Sequence, residues 1–258
     1  MSFWLPVYTL WNRELVRFYR DRSRLIGALT PPIVFWFLIG SGLGESFRVP
    51  GAQEGMSFLQ YFFAGTLVLI VLFTSIFATI SIIEDRREGF LQSVLVAPTP
   101  RLAIVLGKVL GASTVGFLQG LTFLILAPVA GLEATAWGYA GAMATLALCS
   151  VGLTGLGFSL AWKLDSTQGF HAVMNLFLIP MWMLSGALFP VATAPHWLGV
   201  IIRLNPVSYA VAALQRSLLP GQETLLIASF GGCMGGLAVF AAAMLVLSVV
   251  IASARDAR

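Results

Sequence analysis

Few side chains in this 258-residue chain are suited to covalent chemistry. Its two histidines, His171 and His196, are far apart, and no paired carboxylates lie within the apolar runs to act as nucleophile, base or metal ligand. Cys149 and Cys233 both fall inside long apolar runs, where a thiol packs as a small hydrophobe and builds neither a metal site nor a disulfide framework. A G-x-x-x-x-G-K-[ST] loop to cradle nucleotide phosphates is also absent. At Gly107-Lys108 the following residue is Val109, and Leu102 stands where the first glycine belongs. The sequence therefore predicts a chain that is not an enzyme and binds no cofactor or metal of its own.

The polar residues that do stand out are concentrated in one stretch, EDRREGFLQSVLVAPTPRLAIVLGK, residues 84–108. Glu84, Asp85, Arg86, Arg87 and Glu88 suit the start of a short helix, and Phe90, Leu91, Val94 and Leu95 supply its apolar stripe. Pro98 and Pro100 end it. So short a helix buries little of itself, so its stripe is expected to rest on lipid or on another protein.

The elements around this stretch are membrane elements. A content of 58% hydrophobic and 10% charged residues, with a mean hydropathy of +0.90, lies well outside soluble usage. A bilayer core of about 30 Å takes roughly 20 apolar residues to cross as a helix. Six runs qualify or nearly so: 25–44, 59–83, 105–130, 137–162, 170–189 and 225–254. Their continuity favours helices over barrel strands, which alternate. Lys108 is costly at mid-span, so the third span is expected to begin near it and let the side chain reach the surface. Pro31 and Pro32 mark kink positions in the first span.

Six spans place both termini on one side, together with Arg13, Arg17, Arg20, Arg22, Arg24, Arg86, Arg87, Arg101, Lys108, Lys163, Arg255 and Arg258. Arg48, Arg203 and Arg216 remain on the other, and this asymmetry predicts cytoplasmic termini. It also accounts for the net charge of +4 without invoking nucleic acid. The basic, aromatic amino terminus shows no small-residue cleavage site, so no removable signal is expected.

Residues 1–24 are expected to form an amphipathic interfacial helix, with Trp4, Val7, Tyr8, Trp11, Leu15 and Phe18 on one face and Arg13, Arg17, Arg20 and Arg24 on the other. The Arg face can meet anionic lipid or a partner. Trp137 and Trp162 suit an interfacial belt. Between spans five and six, two apolar pieces too short to cross are bounded by proline and meet at Asn205-Pro206. Re-entrant or interfacial helices fit this pattern, with Arg203 near their turn and the turn itself buried in protein or lining a wet cavity.

EDRREGFLQSVLVAPTPRLAIVLGKVLGA, MWMLSGALFP and PHWLGVIIRLNPVSYAVAALQRSL, in this order, resemble the permease subunits of ABC-2 type ATP-binding-cassette exporters. The resemblance covers nearly the whole chain as one transmembrane domain, 1–258. It is most similar to bacterial permeases that export antibiotics or nodulation factors. What it implies is an all-α integral membrane fold of six transmembrane helices, with external re-entrant helices in 190–224. It also implies a bacterial inner-membrane location, a second copy of the chain, and a separate ABC ATPase that binds ATP and Mg. Residues 84–97, including Glu84, Asp85, Arg86, Arg87, Glu88, Phe90 and Leu91, would then dock on that ATPase, helped by Arg13, Arg17 and Arg20.

Two six-helix bundles make a substrate route more easily than one, and Gly107-x-x-x-Gly111, Gly116-x-x-x-Gly120 and Gly231, Gly232, Gly235 and Gly236 are candidate contacts between copies or within one. Phe35, Phe62, Phe73, Phe77 and Trp182 are candidates for lining the route. Ion-coupled secondary transport is disfavoured by the scarcity of ionisable groups at membrane depth. A non-catalytic assembly or channel protein is the remaining alternative.

Overall fold

The computed structural model describes residues 3–43, 56–188, 191, 194–221 and 227–254, and it is helical almost throughout, with no strand among them. In order, the helices are α1 (Trp4–Arg20), α2 (Arg22–Leu43), α3 (Phe58–Ala78), α4 (Ile80–Arg87), α5 (Phe90–Val96), α6 (Arg101–Leu124), α7 (Ala136–Lys163), α8 (Thr167–Trp182), α9 (His196–Leu204), α10 (Pro206–Leu218) and α11 (Phe230–Ala254). Among the described residues, five spans are long and apolar enough to cross a membrane, namely α3 continued into α4, then α6, α7, α8 with the turn that follows it, and α11. The count rises to six if α9 and α10, bent by 90° at Asn205, form one broken span. The apolar part of α2, Leu29–Gly42, is shorter, although the helix itself runs unbroken through Pro31 and Pro32.

Side-chain caps set four of the helix starts. Ser57 and Gln60 form a reciprocal capping box ahead of α3, the Gln60 amide donating to Ser57 Oγ and the Ser57 amide to Gln60 Oε1. Thr135, Ser166 and Asn205 cap α7, α8 and α10, the last with Pro206 at the first helical position, where its missing donor costs nothing.

The core is built around α3, which is buried along nearly its whole length and packs on α2, α6, α7, α8 and α10. Small residues let its neighbours close in. A Cβ on Gly116 would meet Ser75 Oγ at 2.0 Å, and one on Gly120 would meet Val71 Cγ2 at 2.8 Å. These glycines, and Gly107 and Gly111 described below, are thus packing positions within one chain. Gly231 and Gly235 of α11 differ in having nothing near them, and Val239, Val246 and Val250 of that helix are exposed too. Cys149 and Cys233 are buried and free of disulfides.

After Trp182 the helix widens into a π-helical turn, Met183–Ala187, broken at Leu184 and at Gly186, whose φ of 82° only glycine adopts cheaply. Carbonyls around this break must be satisfied inside a membrane protein, and Tyr61 and Asn205 do so from other helices, with Ser185 Oγ bonding the Trp182 carbonyl. Tyr61 Oη donates to the Gly186 carbonyl (2.6 Å), Asn205 Nδ2 to the carbonyls of Leu184 (3.0 Å) and Met181, and, on the α3 side, Trp182 Nε1 donates to the Gly65 carbonyl (2.8 Å). Tyr61→Phe is expected to cost about 1–3 kcal/mol by stranding a buried carbonyl, read as a lower melting temperature in detergent. An unchanged melting temperature would mean that this bond contributes nothing.

Candidate functional site: a charged platform beneath an aromatic cavity

The charged stretch does not begin a helix. It ends one, because α3 continues through a break at Thr79 into α4, and Glu84–Arg87 form its last turn. The short helix starts only at Phe90, after Gly89 reverses the chain at φ 78°. Glycine in the left-handed region is a common helix end, and Gly89 is the signal that locates this boundary in the sequence.

Asp85 is fully buried and lies at the centre of an ion cluster. Arg13 grips it with two hydrogen bonds (2.7 and 2.8 Å), Arg17 adds one at 3.0 Å, and Lys108 adds another. Lys108 also binds Glu14, and Arg17 reaches Glu84 at 2.6 Å. Burial disfavours the Arg13 charge, yet the hydrogen bonds and charge of Asp85 outweigh it and hold the guanidinium above its usual pKa. Lys108 therefore does not reach the surface: α6 begins seven residues earlier at Arg101, so the lysine lies about 10 Å into the helix and is only 3% exposed. A buried ammonium is tolerated there because two carboxylates meet it.

The amino-terminal helix explains why those partners are near. The face of α1 that is buried carries Val7, Leu10 and Glu14, and it packs along α6 at Gly107 and Gly111. A Cβ on Gly107 would lie 2.7 Å from Leu10 Cβ, and one on Gly111 would lie 2.6 Å from Glu14 Cβ. Trp4, Tyr8 and Tyr19 remain exposed, while Trp11 Nε1 donates to Thr114 of α6. The Arg face predicted for lipid or a partner is divided: Arg13 and Arg17 serve the chain's own carboxylates, and Arg20 is exposed.

Arg86 and Arg87 turn the other way. Arg86 donates to the carbonyls of Trp162 (2.7 Å) and Leu164 (3.1 Å) and pairs with Asp165, and Arg87 donates to the Asp165 carbonyl. They satisfy carbonyls left over at the carboxyl end of α7, where cations are favoured. Trp162 is a core residue, stacked on Phe158 at 5.2 Å and 3% exposed, whereas Trp137 is 85% exposed as an interfacial residue would be. The stripe of α5 also faces inward: Leu91 is in the core, Leu95 packs against it, and Phe90 lies under the Arg13 guanidinium at 3.8 Å. Glu88, Gln92, Ser93 and Val96 face outward, Val96 at 88% exposure.

Next to this platform a cavity of about 750 Å³ opens between α2, α3 and α8. Pro31, Pro32 and Phe35 wall it from α2, Leu69, Phe73, Thr74 and Phe77 from α3, and Thr167, His171, Ile179 and Trp182 from α8, with Glu84 and Phe18 at the platform end. At the far end Phe35, Phe62 and Trp182 form a three-ring cluster with centroids 6.0–6.3 Å apart. Four of the five aromatic residues singled out in the sequence thus line the cavity, and Phe62 is buried behind them. Asn205 is 8% exposed within the protein, and Pro206 starts α10 beside it. Arg203 is exposed, and its carbonyl accepts from Tyr209 Oη.

Helices long and apolar enough to cross a membrane, with an aromatic cavity open between α2, α3 and α8, are compatible with a transport permease. The chain belongs to the ABC-2 type transporter family, whose model matches residues 6–219. It is similar to the inner membrane transport permease YadH of Escherichia coli, at 26% identity over 249 residues and 89% of each chain. It is also similar to nodulation protein J of Rhizobium meliloti, at 27% identity over 227 residues, 85% of this chain and 80% of that one. Nodulation protein J of Rhizobium leguminosarum bv. viciae is 24% identical over 222 residues, covering 85% and 82%.

Proposed function

We propose that this chain is the membrane subunit of an ATP-driven exporter, working as a pair and powered by a separate ATPase that binds ATP and Mg. The observation that carries this reading is the platform: ion pairs and arginine clamps join α1, α4, α6 and α7 into one block directly beneath the cavity. The outer side of α5 and Arg20 is left uncovered. A cytoplasmic ATPase docking there would move the cavity wall along with the block. The excess of basic residues supports a cytoplasmic platform, and the relative YadH supports a bacterial inner membrane. The ring cluster of Phe35, Phe62 and Trp182 then closes the outward end, and drug-, lipid- or glycan-like amphiphiles would enter from the platform end and leave as the cluster opens. The 90° bend at Asn205 belongs to the outer side as a re-entrant turn.

The test is reconstitution with the cognate ATPase. Glu88→Lys combined with Val96→Asp is expected to weaken association by about tenfold through charge reversal and loss of an apolar contact, with the melting temperature of the permease unchanged. Phe90 and Leu91, being packed inward, would lower that melting temperature when truncated. Normal assembly and normal ATP-dependent transport by the double variant would sink the docking assignment.

A further inference from the structure

The two adjacent carboxylates at the end of α4 differ in how fully they are met. Asp85, fully buried, accepts from Arg13, Arg17 and Lys108. Glu84 is 32% exposed, and the one bond its carboxylate accepts among the described residues, from Arg17 at 2.6 Å, falls on Oε2. Arg17 also serves Asp85, so its charge is divided between two acids. Glu84 Oε1 is left with its capacity to accept unused, and an ionised carboxylate has room for several donors.

Glu84 also belongs to the cavity. Phe73, Phe77, Ile80 and Glu84 follow one another at intervals of four, three and four residues, and all four line the cavity, so they form one stripe of the rod made by α3 and α4. Along that rod Glu84 lies about 10 Å from Phe77. Phe18 of α1 stands at the same end, and the His171 ring is 4.8 Å from that of Phe77. Among the described residues that line the cavity, Glu84 is the one carboxylate, and none is a lysine or arginine. A positive charge arriving at the platform end therefore meets an acceptor with spare capacity and rings that attract cations. An anion meets a like charge there, which is costly where water is scarce.

We propose that Glu84 selects the occupant of the cavity: its carboxylate holds the charged end of a monocationic, ring-bearing amphiphile whose apolar body lies along Phe77 and Phe73. This rests on the cavity being the substrate chamber of the exporter. One carboxylate in an otherwise apolar lining compensates one positive charge. A second charge, or the many hydroxyls of a glycan, would lose water against phenyl and prolyl surface without a replacement.

The experiment measures saturable binding of radiolabelled tetraphenylphosphonium to the purified permease in a neutral detergent, with unlabelled tetraphenylphosphonium and tetraphenylborate as competitors. The two ions share their shape and rings and differ in the sign of their charge. In the unaltered protein the cation is expected to compete at least about tenfold better than the anion, the worth of one charge pair near a protein surface. Glu84→Gln should weaken the cation about tenfold and leave the anion unweakened, and Glu84→Asp should keep most of the preference. Phe77→Ala should weaken both ions alike, because it removes wall and no charge. A purely structural role for Glu84 would also weaken both alike in Glu84→Gln, and that result would overturn the proposal. Equal competition by the two ions in the unaltered protein would overturn charge selection while leaving the chamber standing. Absence of saturable binding of either ion would overturn the chamber itself and the selection with it.

Discussion

Asp85→Ala is expected to destabilise the permease by about 3–5 kcal/mol, the usual consequence of removing one partner from a buried charge cluster. Asp85 is the common acceptor for Arg13, Arg17 and Lys108, so its loss leaves Lys108 buried with Glu14 alone and frees the bidentate Arg13 fork. Lys108→Met should cost less, because Arg13 and Arg17 still neutralise Asp85 and the methionine fills the lysine's volume with apolar atoms. Thermal unfolding of the detergent-solubilised protein would rank the two. A milder effect for Asp85→Ala than for Lys108→Met would show that the cluster is centred elsewhere. Salt should change either result little, since buried pairs are weakly screened.

Gly111→Val is the second large effect. Its added atoms would begin 2.6 Å from Glu14 Cβ and 3.3 Å from the Trp11 carbonyl, contacts that no side-chain rotation relieves, so α1 must move off α6. Overpacking of this kind costs about 1–3 kcal/mol. Here it also draws Glu14 away from Lys108. The expected readout is local: trypsin should cut at Arg13, Arg17 and Arg20 much faster in the variant while the rest of the bundle stays intact, because a released helix exposes its backbone. Unchanged cleavage would mean that α1 is held by something other than its seat on α6.

The long helices were legible because lipid requires long apolar runs, and α7 and α11 depart from the sequence reading by only a few residues where described. The two short helices flanking Asn205 were equally legible, since proline, an asparagine cap and insufficient length all point to the same break. The platform was not. Glu14 and Asp85 lie 94 and 23 residues from Lys108 along the chain, and nothing local reveals that an acid on an amphipathic helix will meet a lysine seven residues inside a span. The presumption that a lysine must reach water fails wherever the fold brings a carboxylate to it. The same tertiary effect moved Trp162 from the expected interface to the core, where Phe158 and Arg86 cover its faces. Gly89 was readable and outweighed by the acids before it, which resembled a helix start but are held at a helix end by cations from other elements.

The continuity of α3 into α4 has a thermodynamic consequence. One helical rod, Phe58–Arg87, carries the cavity wall at Phe73, Thr74 and Phe77 and, within three further turns, the carboxylates bound by α1 and α6. Whatever free energy an occupant of the cavity exerts on that rod is therefore exerted at the platform as well. By linkage, if a docked protein changes the affinity of the cavity for its occupant by some factor, the occupant must change the affinity of docking by the same factor. The break at Thr79, where Thr79 Oγ1 donates to the Ile76 carbonyl and Gly157 packs against it, lies between the two ends of the rod.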